Sequence, residues 1–254
     1  MTEETTTEYS AGINWEDSPL FDFARSPRLS LFPDLCRLLN VGWLALHYAG
    51  VIKEEKKIKL LDAACGFGEL NRIIKSQRIA KGARVQYIGI DIDPRKIKRA
   101  EEMMKTGDFR LLPMQEITSL VRGLSVGQPA DRDLFDVIVS TESLEHINRE
   151  AGIRFLADCA DILRVGGHFI ITCPTPAIHR DNEWHLHEWE VEELTIELAK
   201  LPFEVVDQFF MKSPVRILGI PPTIRSRVPN EMLRGVLSPG AADGSVQVWV
   251  LRRK

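Results

Sequence analysis

Leu60-Leu61-Asp62-Ala63-Ala64-Cys65-Gly66-Phe67-Gly68-Glu69-Leu70 is the stretch whose reading decides the fold of this chain. The apolar run up to Ala63 reads as a buried strand. Cys65 to Gly68 is a tight turn of small residues, and the segment from Leu70 to Ala80 has the apolar spacing of a helix. Glycine takes positive φ and lets a ligand approach the backbone with no Cβ in the way. The helix that follows aims its unpaired N–H groups at whatever sits over the turn.

Outward from the turn, Arg84 to Pro94 reads as a second strand ending in Asp91. Asp91 lies 23 residues after Gly68, the separation of one helix and one strand. A carboxylate at that tip can accept hydrogen bonds from both hydroxyls of a ribose. A dinucleotide site would need a third glycine, where this chain has Asn71. Glu69, directly after the turn, would repel a pyrophosphate.

The turn resembles the first motif of class I S-adenosylmethionine-dependent methyltransferases, D-x-G-x-G-x-G, through Asp62, Gly66 and Gly68. Ala64 stands where that family most often has its first glycine, and its methyl narrows the space beside the amino-acid end of the cofactor. The resemblance implies S-adenosyl-L-methionine as cofactor, with Asp91 on the ribose and Ile92 packing the adenine. It extends the expected cofactor-binding set to Asp62, Ala64, Cys65, Gly66, Gly68, Met114, Gln115 and Ser140.

The remaining elements alternate as expected of an α/β chain. Strands are predicted at Ile58–Ala63, Val85–Ile90, Phe109–Leu112, Phe135–Ser140 and His168–Thr172, with a helix from Arg149 to Arg164 ended by Gly166-Gly167. A helix over Val191–Lys200, a strand over Phe203–Met211 and a last strand over Val246–Leu251 complete the pattern. The fold class expected is a Rossmann-like, doubly wound, mostly parallel seven-stranded sheet whose last strand is antiparallel. Residues 1–27 read as a flexible acidic tail. Residues 28–254 read as the methyltransferase domain, with cover helices over 28–52 broken near Asn40-Val41-Gly42 and a Pro-rich acceptor-side insertion over 213–244.

Two segments carry candidate chemistry. Glu142, Glu145 and His146 follow the fourth strand, where a methyl acceptor is expected, at a spacing that one helical turn brings to one side. Either His146 acts as general base, its ordinary pKa being near neutrality, or the group holds Mg²⁺ or Mn²⁺. His185, in Trp184-His185-Leu186-His187-Glu188-Trp189, is a further ligand candidate. The E-x-x-E-H segment resembles that of ubiquinone-pathway and small-molecule O-methyltransferases, and that of small-RNA 3′-terminal 2′-O-methyltransferases. In the latter, two Glu and two His hold Mg²⁺, and the matching residues are Glu142, Glu145, His146 and His185.

Bulk properties restrict the partners. A net charge of -3 gives no global pull towards nucleic acid or anionic membrane. Lys212, Arg216, Arg225, Arg227 and Arg234 face only Glu231 over the same span, and such a patch would hold phosphates. No aromatic and basic stacking face of the single-strand-binding kind accompanies it. A small hydroxylated acceptor (a sugar, phenol or secondary metabolite) is therefore placed ahead of an RNA 3′ end. A non-catalytic cofactor-binding subunit is the reading from a different class, and a homo-oligomer is left open. Cys36, Cys65, Cys159 and Cys173 have no C-x-x-C spacing, which argues against structural zinc and for reduced thiols. The N-terminus has no apolar signal core, and no run is long enough to span a membrane, so a cytoplasmic enzyme without membrane partners is expected.

Overall fold

A computed structural model describes residues 32–50, 56–76, 84–121, 134–176, 183–212, 237–238 and 244–254. The acidic tail, the loop over 123–133, and the arginines and isoleucines of the insertion lie outside the described residues.

Five of the strands are those expected around the opening stretch: β1 (Lys57–Ala63), β2 (Arg84–Asp91), β3 (Asp108–Leu111), β4 (Phe135–Thr141) and β5 (Leu163–Pro174). β6 (Phe203–Lys212), β7 (Leu237–Ser238) and β8 (Gly244–Arg253) follow. They form one sheet in the order β3-β2-β1-β4-β5-β8-β6-β7. β1 to β5 pair in parallel. β8 runs antiparallel between β5 and β6. The seven longer strands make the sheet expected from the sequence, and the two-residue β7 adds a short edge within the insertion.

Side-chain alternation explains why both faces are covered. Ile58 and Leu60 of β1 pack into a core with α1 (Phe32–Tyr48), α2 (Glu69–Ser76) and α3 (Pro94–Met103). Leu61 and Ala63 pack the other way, with α4 (Arg149–Ile162) and α5 (Val191–Ala199). A strand buried on both faces carries apolar residues at consecutive positions, which is why IKLLDAA is continuous rather than alternating.

Two expectations are corrected. α1 is unbroken through Asn40-Val41-Gly42. A glycine costs a helix about 1 kcal/mol. Here the same turn buries Val41, Leu44, Ala45 and Leu46 completely or nearly so, which outweighs that penalty. α4 ends at Ile162 rather than at the glycine pair. Leu163 already pairs with Phe135, and Gly166 (φ 76°) lies inside β5, where the β4–β5 register shifts.

Among the described residues, no helix is long and apolar enough to cross a membrane. Cys65, Cys159 and Cys173 are buried and unpaired with one another.

Candidate active site

β1 pairs with both β2 and β4, so the chain order reverses beside β1 and a crevice opens beyond the carboxyl ends of these strands. The glycine turn sits there. Ala64, Gly66 and Gly68 have φ of 65°, 56° and 77°, a left-handed run that bends the chain from β1 into α2. At Gly66 a Cβ would meet nothing nearer than 3.9 Å, so this glycine leaves open space over the turn. Gly68 has a different reason: a Cβ there would come within 2.8 Å of the Phe109 ring.

Asp91 ties the turn to β2. Its Oδ2 accepts the Gly66 N–H at 3.0 Å and its Oδ1 accepts the Asp93 N–H at 2.9 Å. The carboxylate is buried, and each oxygen keeps a second lone pair for a ribose hydroxyl. Ile92, half exposed beside it, supplies an apolar face.

Asp62 is the most perturbed acid of the turn. It accepts a short hydrogen bond from the Tyr87 hydroxyl, while its Oδ1 is buried without a partner. Burial, with smaller contributions from Glu69 and Asp91, pushes its carboxyl up to about 7 against the Tyr87 bond. Burial likewise raises Glu69. A buried acid with one oxygen left unpaired beside further carboxylates suits a ligand with an ammonium group and opposes a pyrophosphate. In the 3-10 helix after β3 (Met114–Leu120), both amide atoms of Gln115 are buried without partners, a donor and an acceptor that suit the edge of a nucleobase. These orphaned atoms fit S-adenosylmethionine, whose amino-acid ammonium and adenine would satisfy them.

Three further expected cofactor residues are buried. Met114 packs into the core under the sheet. Ser140 is fully buried, its hydroxyl 2.6 Å from that of Ser143. Cys65 belongs to the core cluster on the helix α2 face, and burial raises its thiol well above the ordinary range.

The second half of the site follows β4, next to the turn because Ala63 pairs with Ser140. Glu142 has φ 46°, so it does not continue into a helix; Leu144–His146 form only one 3-10 turn. The one-sided helical turn expected from E-x-x-E-H is therefore absent. Glu142 instead receives the Thr172 hydroxyl at 2.9 Å and pairs with Arg37 of α1 at 3.2 Å. Glu145, His146 and His185 do converge, with one candidate ligand atom from each lying within 4.8 Å of the others.

The loop before α5 is strapped to this 3-10 turn. The N–H groups of Leu186 and His187 both donate to the Glu145 carbonyl, at 2.8 and 3.2 Å. Trp189, fully buried, donates its indole N–H to the Leu144 carbonyl at 3.3 Å, and Gln247 of β8 donates to the Trp189 carbonyl at 2.6 Å. The strap sets the histidine tautomers. His146 Nδ1 donates to the Trp184 carbonyl at 3.0 Å, and His185 Nδ1 lies 3.0 Å from a Glu188 carboxylate oxygen. Both Nδ1 atoms thus carry hydrogens, and Nε2 of each ring bears the lone pair.

Burial drives the titration here. It lowers His146 to about 4, helped by His185 and Lys96 and opposed by the hydrogen bond to Trp184. Burial, with Glu142 next, raises Glu145 well above the carboxylate range, and its Oε2 has no partner. Burial thus disfavours the charged imidazole, which favours His146 as a neutral ligand over a base poised near neutrality. Two imidazoles and a carboxylate fit a first-row divalent ion such as Mn²⁺ better than Mg²⁺, which prefers oxygen.

Sequence reasoning missed two residues. Arg37 reaches Glu142 from before β1. Lys96, in the first turn of α3, places its ammonium 3.8 Å from Asp91 Oδ2. A lysine in a helix's first turn reads as solvated, and only its one-turn spacing beyond Asp91-Ile92-Asp93 would have pointed inward.

This sheet, glycine turn and strand-tip acid are those of a class I S-adenosylmethionine-dependent methyltransferase domain. The chain belongs to the methyltransferase-domain family, whose model matches residues 43–201. It is 29% identical over 154 residues to a "Probable S-adenosylmethionine-dependent methyltransferase" of Mycolicibacterium smegmatis, an alignment covering 58% of this chain and 52% of that protein. This chain therefore spans about half the length of that relative. Its fold matches a methyltransferase from Archaeoglobus fulgidus at a TM-score of 0.58, with 19% identity over 88% of this chain and 99% of the other. It also matches the magnesium protoporphyrin IX methyltransferase of Synechocystis PCC 6803 with bound S-adenosylmethionine, at a TM-score of 0.56 with 11% identity and 94% coverage of both chains.

Proposed function

We propose that this chain transfers the methyl group of S-adenosylmethionine to a hydroxyl of a small molecule, beside Glu145, His146 and His185. The convergence of these three groups, with both Nδ1 atoms engaged by oxygens, is the observation that carries the reading.

S-adenosylmethionine supplies a methyl group already made electrophilic by its sulfonium. Asp91 holds the ribose, Asp62 the ammonium and Gln115 the adenine edge, so that the methyl points from the glycine turn towards the turn after β4. An aliphatic hydroxyl is a poor nucleophile until its proton is removed. A divalent ion held by Glu145, His146 and His185 would supply the Lewis acidity that makes this hydroxyl acidic. Glu188 and the Trp184 carbonyl fix the two rings, and α1, through Arg37, holds Glu142 away from the ligand set. Trp184 and Leu186, both partly exposed on either side of His185, offer the acceptor an apolar wall.

The test is transfer of labelled methyl from S-adenosylmethionine to a panel of sugars, phenols and vicinal diols, with RNA as a separate arm. Label is expected on a small hydroxylated molecule, dependent on Mn²⁺ and lost in chelator. His185→Ala is expected to lose transfer and keep affinity for S-adenosylhomocysteine. Full transfer in chelator would remove the ion from the reading, and label only on RNA 3′ ends would replace the acceptor.

A further inference from the structure

Tyr87 of β2 is buried on the α2 and α3 side of the sheet, and its hydroxyl donates to Asp62 Oδ2 of β1. The strand register accounts for the contact. Tyr87 pairs with Leu60, while Asp62, two residues on, pairs with Gly89, which puts no side chain beside it. Side chains two residues apart in a strand share a face and lie about 7 Å apart, within the reach of a phenol. The ring is held where it is. Its centroid lies 5.8 Å from that of Phe109, which itself packs so tightly under the glycine turn that a Cβ at Gly68 would come within 2.8 Å of it. Burial raises the Tyr87 hydroxyl well above its ordinary range, so it remains a donor.

The bond engages one oxygen of Asp62 and leaves the other, Oδ1, buried without a partner among the described residues. Packing alone does not call for this arrangement. Two apolar side chains of the same shape would serve the core about equally well, and no acceptor would be left unpaired. We propose that Tyr87 is a positioning residue for the amino-acid end of the cofactor, holding the Asp62 carboxylate in one orientation so that Oδ1 is left for the ammonium. This rests on the proposed cofactor and on the role of Asp62 read above.

The hydroxyl acts in two ways. A carboxylate free to rotate must be ordered when the ligand arrives, whereas one already fixed by a hydrogen bond is ordered in advance, so the ligand binds more tightly. The same bond favours the charged form of Asp62 and opposes the burial that favours the neutral acid. Without it Asp62 would be ionised less readily and would attract the ammonium less. Both effects stop at the amino-acid end. On the reading above the ribose is held by Asp91 and the adenine edge by Gln115, and neither residue is bonded to Tyr87.

Calorimetry on the full chain tests this with two ligands, S-adenosylhomocysteine and 5′-methylthioadenosine. Both carry adenine, ribose and a thioether, and the second lacks the amino-acid end. Wild type should bind S-adenosylhomocysteine more tightly. Tyr87→Phe keeps the ring and removes the hydroxyl. It should weaken S-adenosylhomocysteine by a factor on the order of ten, the value of a hydrogen bond to a charged group, and leave 5′-methylthioadenosine unchanged. In an Asp62→Asn background the same change should alter neither affinity, because the two residues act as one unit. Tyr87→Met is the second variant should the phenylalanine protein fail to fold. Equal losses for both ligands, or the tenfold loss persisting in the Asp62→Asn background, would overturn the role of Tyr87 and leave the cofactor in place. Equal wild-type affinity for the two ligands would remove Asp62 from the ammonium and the proposal with it. Failure of the wild type to bind either would overturn the cofactor reading as well.

Discussion

Gly152→Ala sets two ordinary effects against each other. Gly152 lies in the first turns of α4, where alanine is worth up to about 1 kcal/mol over glycine by helix propensity. A Cβ at this position would lie 2.6 Å from Cζ2 of Trp189 and 3.4 Å from its Cη2. The indole has little room to yield: it is fully buried, its N–H bonds the Leu144 carbonyl, and its own carbonyl is bonded by Gln247. Overpacking of this kind costs about 1–3 kcal/mol, so the net expectation after the propensity gain is a loss of up to about 2 kcal/mol. The strap carries the effect into the site. Movement of Trp189 away from α4 shifts the loop that aligns His185 with Glu145 and His146. Urea denaturation should show the lower midpoint with an unchanged slope. Titration should show weaker Mn²⁺ binding with S-adenosylhomocysteine affinity retained. A variant about 1 kcal/mol more stable than wild type, with Mn²⁺ affinity intact, would refute the packing argument.

Asp62→Asn should stabilise the protein without ligand while weakening its hold on the cofactor. The folded pKa of Asp62, about 7, lies above its ordinary value of 3.8, so its contribution is present below pH 3.8 and is lost as pH rises through 7. The gain from the variant, read by denaturation at several pH values, should therefore grow between pH 4 and 7; a gain independent of pH would contradict the assignment. His146 works in the opposite sense. Its folded pKa of about 4 lies below 6.5, so its contribution is full above pH 6.5 and is lost as pH falls towards 4, and His146→Gln should flatten that acid limb. Ala64→Gly relieves a left-handed alanine (φ 65°) and should gain up to about 1 kcal/mol, less the entropy glycine adds to the unfolded chain. A clear loss of stability would show that the Ala64 methyl makes contacts that outweigh its strain.

The parts of the molecule that were legible in the sequence are those set by local pattern. The continuous apolar run of β1, the glycine turn and Asp91 at the tip of β2 are close together in the chain, and each has one physical reading. α5 was legible for the same reason: Val191, Leu194, Leu198 and Leu201 repeat at helical spacing, and all four meet the core. What was not legible depends on contacts across the fold or on backbone that the residue type disguises. Nothing in a glutamate announces φ 46°, so Glu142 seemed free to turn with Glu145 and His146. Its capture by Arg37 and Thr172 joins three segments remote in sequence. The partial charge state of the site was hidden likewise. His146 and Glu145 have ordinary pKa values in the unfolded chain, and burial above all separates them from those values. α1 misled through Gly42, because propensity marks a glycine as a break and cannot register the core that its neighbours enter.

Everything proposed for this site depends on the glycine turn and Asp91 holding S-adenosylmethionine. Calorimetric titration of the full chain with S-adenosylhomocysteine, run beside NAD and beside the Asp91→Ala variant, tests it most directly. Saturable binding of S-adenosylhomocysteine, no heat with NAD, and a loss of about 1–3 kcal/mol in the variant are expected from unpairing the ribose hydroxyls. Tight binding of NAD with no response to S-adenosylhomocysteine would overturn the assignment of this cofactor to the turn.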